Sequence, residues 1–344
     1  MKVAHFHFGK EGGAERFFVH LVQALHERGI EQKSVIRPNR TWQKDIEKAS
    51  ELRLSNFRNA SPDRILLPLY TKKLAKTWEP DVMFAWMPRA CRLIPSKVKP
   101  LRIARLGDYP LRLDYFKNID VLVCNTPGIV EHVKDMGWDR GVEMISNFTY
   151  AKASKPVSRA ALNTPEDAFV VSSMGRFVPR KGFDVLIKAM EIHKTMYLWI
   201  MGGGEEEENL KALAKKLGVE DRIRFAGWQK DPNAYVRASD VFAAASSHEP
   251  LGNIILEAWA QEVPVVSTKS EGPSWFMTNE QDGLMVEIDD AVAFAERFEK
   301  LEQDKALCKK LAKGGQKTLQ KKFSKKVITD TYLNLFSRKR NSYG

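Results

Sequence analysis

The sequence predicts an α/β protein of two halves, each a doubly wound parallel sheet. Three observations predict it. Apolar runs of strand length alternate with amphipathic helical stretches. The alternation stops at a polar segment and then restarts. At 344 residues the chain is long enough for two cores.

Residues 2–8 (KVAHFHF) read as a short buried strand, followed by the turn GKEGG. AERFFVHLVQALHERG then sets Phe17, Leu21, Val22 and Leu25 near a 3.6-residue period, with Gly29 as the stop. EQKSVIRP, WEPDVMFAWM, LRIARL and DVLVCNT supply further strands. Residues 151–167 (AKASKPVSRAALNTPED), rich in Ala, Ser and Pro without a long apolar face, read as the linker. This places one domain at 1–152 and a second at 153–325. The second series runs AFVVSSMG, a helix through DVLIKAMEIHK, MYLWIMGGG, a helix through ENLKALAKKLG, then IRFAGW, DVFAAASS and PVVST. Ligands of such sheets bind beyond the carboxyl ends of the strands.

The charge is segregated: net +10 over residues 1–155, −9 over 156–304 and +11 over 305–344. RILLPLYTKKLAKTW (64–78) mixes apolar and aromatic residues with Arg64, Lys72, Lys73 and Lys76. That suits an element lying on an anionic membrane surface, and equally a helix with a solvated basic face. Nucleic acid is not expected as a partner, because no zinc finger, RNP-type aromatic motif or basic heptad is present. No apolar run reaches the ~18 residues of a membrane-spanning helix, and the N-terminus does not read as a signal peptide. Cys91, Cys124 and Cys308 lie far apart, which excludes a disulfide framework and fits a reducing cytoplasm.

The sharpest motif is SSHEPLGNIILEAWAQEVPVVSTKSEGPSWF (246–276). Pro250, Leu251 and Gly252 favour a loop, and a helix is predicted to begin near 251–253. Its first N–H groups and partial positive charge suit a phosphate. Glu249 falls on the loop before that terminus. Glu257, one turn in, can accept two hydrogen bonds from a vicinal diol such as a ribose. In SMGRFVPRKGFDVLIKA (173–189), Gly175 ends a strand, and Arg176 and Lys181 can converge on one anion. Gly12 and Gly13 of GKEGGAER allow close backbone approach to a ligand. This is not the G-x-G-x-x-G of dinucleotide binding. Gly202–Gly204 of MGGGEEEENL read as a strand-end turn, with four glutamates suited to a helix start and hostile to a pyrophosphate. His5 and His7 alternate on one strand face, but two ligands make a poor zinc site. His248 either touches a ligand or is an ordinary loop histidine.

These motifs resemble the signature of retaining GT-B glycosyltransferases of family 4, the "glycosyl transferases group 1" type. The resemblance covers nearly the whole chain and is strongest over 171–276. It implies two Rossmann-like domains with a nucleotide-sugar donor bound on the second. It puts Glu249 by the donor sugar and Glu257 on the ribose, beside His248, Leu251, Gly252 and Asn253. Arg176 and Lys181, next to Gly175, hold the diphosphate; Lys181 is preferred to the adjacent Arg180 on family spacing. Gly12 and Gly13 face the diphosphate and the sugar, and Trp228 and Gln229 of AGWQKDP lie at the base. A family histidine that contacts the sugar is missing from IARLGDYPLRL (103–113), where Arg105 or Asp108 are the acceptor-side candidates. The last helix, about 326–344, is implied to pack back on the N-terminal domain.

The expected function follows. It is retaining transfer of a hexose from a nucleotide-diphosphate sugar, UDP favoured, to a membrane-associated envelope glycan such as lipopolysaccharide core. The enzyme would sit peripherally at the inner face of the cytoplasmic membrane. No cofactor or metal is expected: the cations neutralise the leaving diphosphate, and no DxD motif is evident. The competing readings are a GT-B-fold nucleotide-sugar epimerase and a non-catalytic protein that binds a nucleotide sugar or anionic lipid.

Overall fold

The computed structural model describes residues 1–10, 12–57, 61–149 and 153–338. Two compact units emerge. One comprises Met1–Thr149 with the chain from Ser324 onward, and the other the residues between, up to Phe323.

The first unit holds seven strands: β1 (Lys2–His7), β2 (Glu31–Ile36), β3 (Glu51–Leu54), β4 (Val82–Ala85), β5 (Leu101–Leu106), β6 (Val121–Cys124) and β7 (Gly141–Met144). Their spatial order is β3-β2-β1-β4-β5-β6-β7, every pair parallel. The second unit holds β8 (Val170–Arg176), β9 (Tyr197–Gly203), β10 (Ile223–Gly227), β11 (Val241–Ala244), β12 (Val265–Thr268) and β13 (Leu284–Val286). These are again all parallel, in the order β10-β9-β8-β11-β12-β13. In each sheet the strand order reverses beside the first strand, between β1 and β4 and between β8 and β11. At such a switch point the loops leaving adjacent strands diverge and open a crevice.

The central strands are buried on both faces, as the parallel βαβ arrangement requires: every residue of β4, β5, β6, β11 and β12 is buried. Three strands have no apolar run to announce them. β3 (ELRL) and β7 (GVEM) are largely accessible, and β13 is three residues long. All three are sheet edges, where one ladder remains; in β3 and β7 charged residues deter edge-to-edge pairing, and β13 is simply short.

The expected linker requires a correction. Its residues 151 and 152 lie outside the described ones, but from residue 153 the chain packs on the second unit. The Ser154 amide donates to Gln261 Oε1 at 2.7 Å, and Val157 N to Ala234 O at 3.2 Å. Trp199 Nε1 donates to Thr164 Oγ1 at 3.0 Å, and Arg224 reaches the Asn163 carbonyl at 2.8 Å. Hydrogen bonds hold this segment, so its lack of an apolar face was no sign of a free linker. A second correction concerns the glycines of MGGG. Gly202 and Gly203 belong to β9, in register with Gly175 and Arg176 of β8, and only Gly204 lies beyond it.

The helix Lys325–Phe336 completes the first unit's core. Tyr332 is fully buried, its ring centroid 5.9 Å from Phe84 and 6.4 Å from Phe17, and Phe336 lies 5.9 Å from Phe84. Asp330 pairs with Arg28, and Lys325 with Glu27. The basic stretch forms the helix Asp63–Thr77. Leu67, Thr71 and Leu74 face inward, while Ile65, Leu66 and Leu69 are exposed together with Arg64, Lys72, Lys73 and Lys76. No helix among the described residues is long and apolar enough to cross a membrane.

Candidate active site

The second unit gathers its chemistry at the carboxyl ends of β8, β9, β10 and β11, four adjacent strands. β8 ends in Gly175 and Arg176, and a single helical turn, Pro179–Lys181, precedes the helix Phe183–Ile192. Gly182 joins them with φ +64°, and a Cβ there would stand 2.1 Å from the Ala245 carbonyl oxygen. Only a residue without a side chain lets this turn lie against the end of β11. The Ser247 amide locks the same approach by donating to the Arg180 carbonyl at 2.9 Å.

This close approach delivers Lys181 to Glu249. The ammonium forms an ion pair with Glu249 Oε2, and both side chains are under one-fifth exposed. Ser246 Oγ lies 3.4 Å from the same oxygen. The Lys181 stem passes Gly175: a Cβ on that glycine would be 3.7 Å from Lys181 Cδ. Arg176, the next residue, is exposed and has no acidic partner among the described residues. One cation of the predicted pair is therefore held by a carboxylate and the other is open.

Gly252, in the left-handed region at φ +90°, precedes the helix Asn253–Ala260, and no side chain caps that helix. An uncapped N-terminus keeps donors and partial positive charge for a ligand. Leu251 is 3% exposed and packs into the core beneath the loop. Glu257, 6% exposed, is buried along the helix.

Glu271 is a residue the sequence reasoning passed over. Its Oε2 accepts from the Glu249 amide at 3.0 Å and its Oε1 from His248 Nδ1 at 2.7 Å. Desolvation pushes the Glu271 pKa up, but its own backbone amide, the His248 ring and the Glu249 amide together hold it below the usual carboxylate range. The ionised group fixes both the Glu249 backbone and the His248 ring. In sequence, Glu271 looks like an acid placed at the start of a short helix to suit its dipole, and nothing local ties it to a loop 22 residues earlier.

Trp228, 71% exposed, follows β10 and overhangs Gly203, where a Cβ would be 3.0 Å from its Nε1. Gln229 commits its amide internally, donating to Ala226 O and accepting from Tyr235 at 3.0 Å. Its side chain therefore shapes the loop.

The remaining candidates lie in the first unit. Gly12 precedes the helix Gly13–Glu27, so Gly13 opens that helix and is not in the loop. Glu11 lies outside the described residues. Arg105, an acceptor-side candidate, is 3% exposed. Its guanidinium sits 4.7 Å from the Phe17 ring and 5.8 Å from Trp86, and it donates to Asn147 Oδ1. Burial lowers its pKa, and burial also pushes the neighbouring Tyr332 phenol up to about 12. Arg105 is a core cation of the β5 end. Asp108 is exposed just beyond it, and its Oδ1 accepts from the Tyr109 amide at 2.9 Å. His5 has both ring nitrogens engaged, with Gln32 at 3.0 Å and Trp86 at 3.2 Å, which leaves none for a metal. Among the described residues no three His, Cys, Asp or Glu side chains are grouped to hold a metal ion.

Comparison with known proteins decides the family. Over 98% of its length the chain is 57% identical to the lipopolysaccharide core biosynthesis glycosyltransferase LpsE of Rhizobium meliloti (strain 1021), all of which is covered. It is 50% identical to LpsD of the same organism over 98% of both chains. Residues 154–318 match the family described as glycosyl transferases group 1. The chain belongs to this family.

The fold of this group 1 glycosyltransferase recurs in solved structures. A glycosyltransferase of Rickettsia africae ESF-5 superposes with a TM-score of 0.84 at 18% identity, covering 97% of each chain. Anabaena Alr3699/HepE, solved in complex with UDP-glucose, gives 0.81 at 20% identity over 98% of this chain and 99% of its own. The two α/β units are those of the GT-B class. The glycosyltransferase's Lys181–Glu249 pair lies inside the matched region, whereas Arg105 and Asp108 lie outside it.

Proposed function

We propose that this glycosyltransferase moves a hexose from a UDP-sugar, with retention of anomeric configuration, onto a lipopolysaccharide core acceptor. The observation that carries the reading is the Lys181–Glu249 pair set beside the open guanidinium of Arg176 and an uncapped helix start. Such a group is built to receive a diphosphate as its charge grows. The near-full-length likeness to LpsE and LpsD supports the acceptor class, and HepE with its bound UDP-glucose supports the donor class.

In the reaction, the bond between the anomeric carbon and the β-phosphate oxygen breaks, and its electron pair stays on that oxygen. The developing sugar cation is oxocarbenium-like. The acceptor hydroxyl closes the new C–O bond on the same face, and its proton passes to the departing phosphate oxygen. Arg176 and Lys181 stabilise that dianion in place of a metal, so activity should survive EDTA. Glu249, held by Lys181 and by the loop that Glu271 fixes, stands by the sugar, and Glu257 takes the ribose diol.

The enzyme works at the inner face of the cytoplasmic membrane, with the helix Asp63–Thr77 against anionic lipid. Exposed Ile65, Leu66 and Leu69 beside three lysines support that contact, at roughly 1 kcal/mol per basic residue near the surface. Equal flotation with neutral and anionic vesicles would overturn it. The donor is tested by thermal shift with UDP, GDP, ADP and their sugars. A ligand at a hundred times its Kd stabilises by about 2.7 kcal/mol, and no shift with UDP or UDP-sugars would remove the donor assignment. Proton NMR of the product linkage reads retention directly.

A further inference from the structure

A second concave site lies wholly within the first unit, beyond the carboxyl ends of β4 and β5. It is an open pocket of about 460 Å³ lined by Arg89, Arg92, Tyr109, Leu111, Arg112 and Tyr115 among others. The turn Pro88–Cys91 and its C-cap residue Arg92 present Arg89 and Arg92, three residues apart and so on one face. The loop after β5 presents the rest. The Arg92 guanidinium lies 4.7 Å from the Tyr115 ring centroid, and that of Arg112 lies 5.8 Å from the same ring. Arg112 shares its charge with Asp114 at 2.9 Å, both of them exposed. Among the described residues, neither Arg89 nor Arg92 has an acidic partner.

Arg89 and Arg92, like charges at one hollow beside the Asp114-paired Arg112, repel each other, and a folded surface normally disperses or pairs such charges. Arginine stacked on tyrosine also presents its donor edge as a fixed fork, the geometry that takes a carboxylate or phosphate through two parallel hydrogen bonds. The tyrosine rings offer flat apolar faces of the kind that pack on the C–H face of a pyranose. The pocket opens at the carboxyl ends of the strands, the side on which sheets of this kind hold ligands, next to the β1/β4 switch point. The helix Asp63–Thr77 is different: its exposed apolar residues and lysines crown a helix surface, whereas here the cations ring a hollow.

We propose that this pocket binds an acidic sugar residue of the acceptor glycan, one bearing a carboxylate or a phosphate monoester. The anion lies on Arg89 and Arg92, and the ring lies against Tyr109 and Tyr115. The proposal rests on the glycosyltransferase reading, which names a glycan as acceptor, but it is tested apart from catalysis.

Side-chain NMR of the full chain would follow the arginine Nε–H signals during titration with glucuronic acid, glucose 6-phosphate, glucose and inorganic phosphate. The acidic sugars should shift the signals of Arg89 and Arg92 at concentrations at least tenfold below glucose or inorganic phosphate. Arg92→Ala should abolish the response, and Arg92→Lys should weaken it. Equal responses to glucose, or to inorganic phosphate, would overturn the proposal, as would a response only to soluble short-chain phosphatidylglycerol, which would make the site a lipid contact. With the acceptor, Arg89→Ala and Arg92→Ala should each raise its KM tenfold or more with kcat within twofold. An unchanged KM sinks the pocket while leaving the transferase standing. A wild-type protein that binds acidic sugars yet transfers nothing sinks the transferase and leaves the pocket.

Discussion

The two units share an architecture and differ in how they hold their strand-end cations. In the second, Lys181 rests on Glu249, Glu271 holds His248 and the Glu249 amide, and Arg176 stays exposed. In the first, Arg89 and Arg92 stand open at the rim, while Arg105 is buried with only neutral partners. On the proposed reading, the second unit would exchange one carboxylate partner of Lys181 for a diphosphate. The first carries, at Arg89 and Arg92, positive charge that no acid among the described residues offsets. What the difference teaches is where the missing negative charge must come from. If the proposals hold, the second unit meets it on the leaving group during reaction and the first on the glycan it binds.

That contrast can be broken most sharply in the first unit's core. Tyr332→Ala empties a fully buried aromatic site and should cost about 3–5 kcal/mol. The loss should appear in denaturant unfolding as an earlier transition of the first unit while UDP still stabilises the second; one merged transition would show that the units do not unfold separately. Next comes the second unit's chemistry. Arg176→Ala should lower kcat on the order of 10²–10³-fold, about 3–4 kcal/mol, with little change in melting temperature because the side chain is exposed and has no acidic partner among the described residues. Near-native turnover would remove Arg176 from the leaving-group role. Gly182→Ala forces a side chain into a left-handed backbone against the Ala245 carbonyl. The strained backbone should cost about 1–3 kcal/mol and should lower kcat as well, since the turn it distorts carries Lys181. A stable, active variant would mean that the turn has another way to reach β11.

Acid separates the units by a smaller margin. Burial lowers the pKa of His5 to about 4 and that of His7, also facing Arg105, to about 3; both belong to the first unit. The unfolded chain takes up these protons near pH 6.5, and the native fold resists until far lower. Stability from this source is whole above pH 6.5 and is lost as pH falls through 6.5 toward 4. By pH 5 the loss is on the order of 2 kcal/mol per histidine. Denaturant midpoints at pH 7 and pH 5 should show the first unit falling further than the second. His7→Phe should flatten the slope, and an unchanged slope would show that His7 is not its source.

Most of the fold was legible because each central strand of a parallel sheet must be apolar on both faces, so LRIARL and DVLVCNT announce themselves. ELRL and GVEM did not, since an edge strand has one neighbour and carries the polar residues that keep others away. Residues 153–167 misled for a related reason. Composition reports apolar burial, and that stretch is held by Gln261, Ala234, Arg224 and Trp199 through hydrogen bonds. At the site, the loop placing Glu249 before a helix start was readable from local spacing, whereas Lys181 was chosen over Arg180 on the family resemblance and the approach of Gly182 to β11 had no local sign. Glu271 and the burial of Arg105 were not readable, because both depend on contacts between segments far apart in the chain. LRIARL alone cannot say which of its arginines points inward under Tyr332.

The helix Lys325–Phe336 carries one more implication. Because Tyr332 and Phe336 plug the core of a unit begun by the first strand, that unit is discontinuous in the gene. During translation, its sheet must wait through the making of more than half the protein before its final aromatic ring leaves the ribosome. The second unit, encoded without interruption, is free to fold first, which reverses the order in which the two begin to be synthesised.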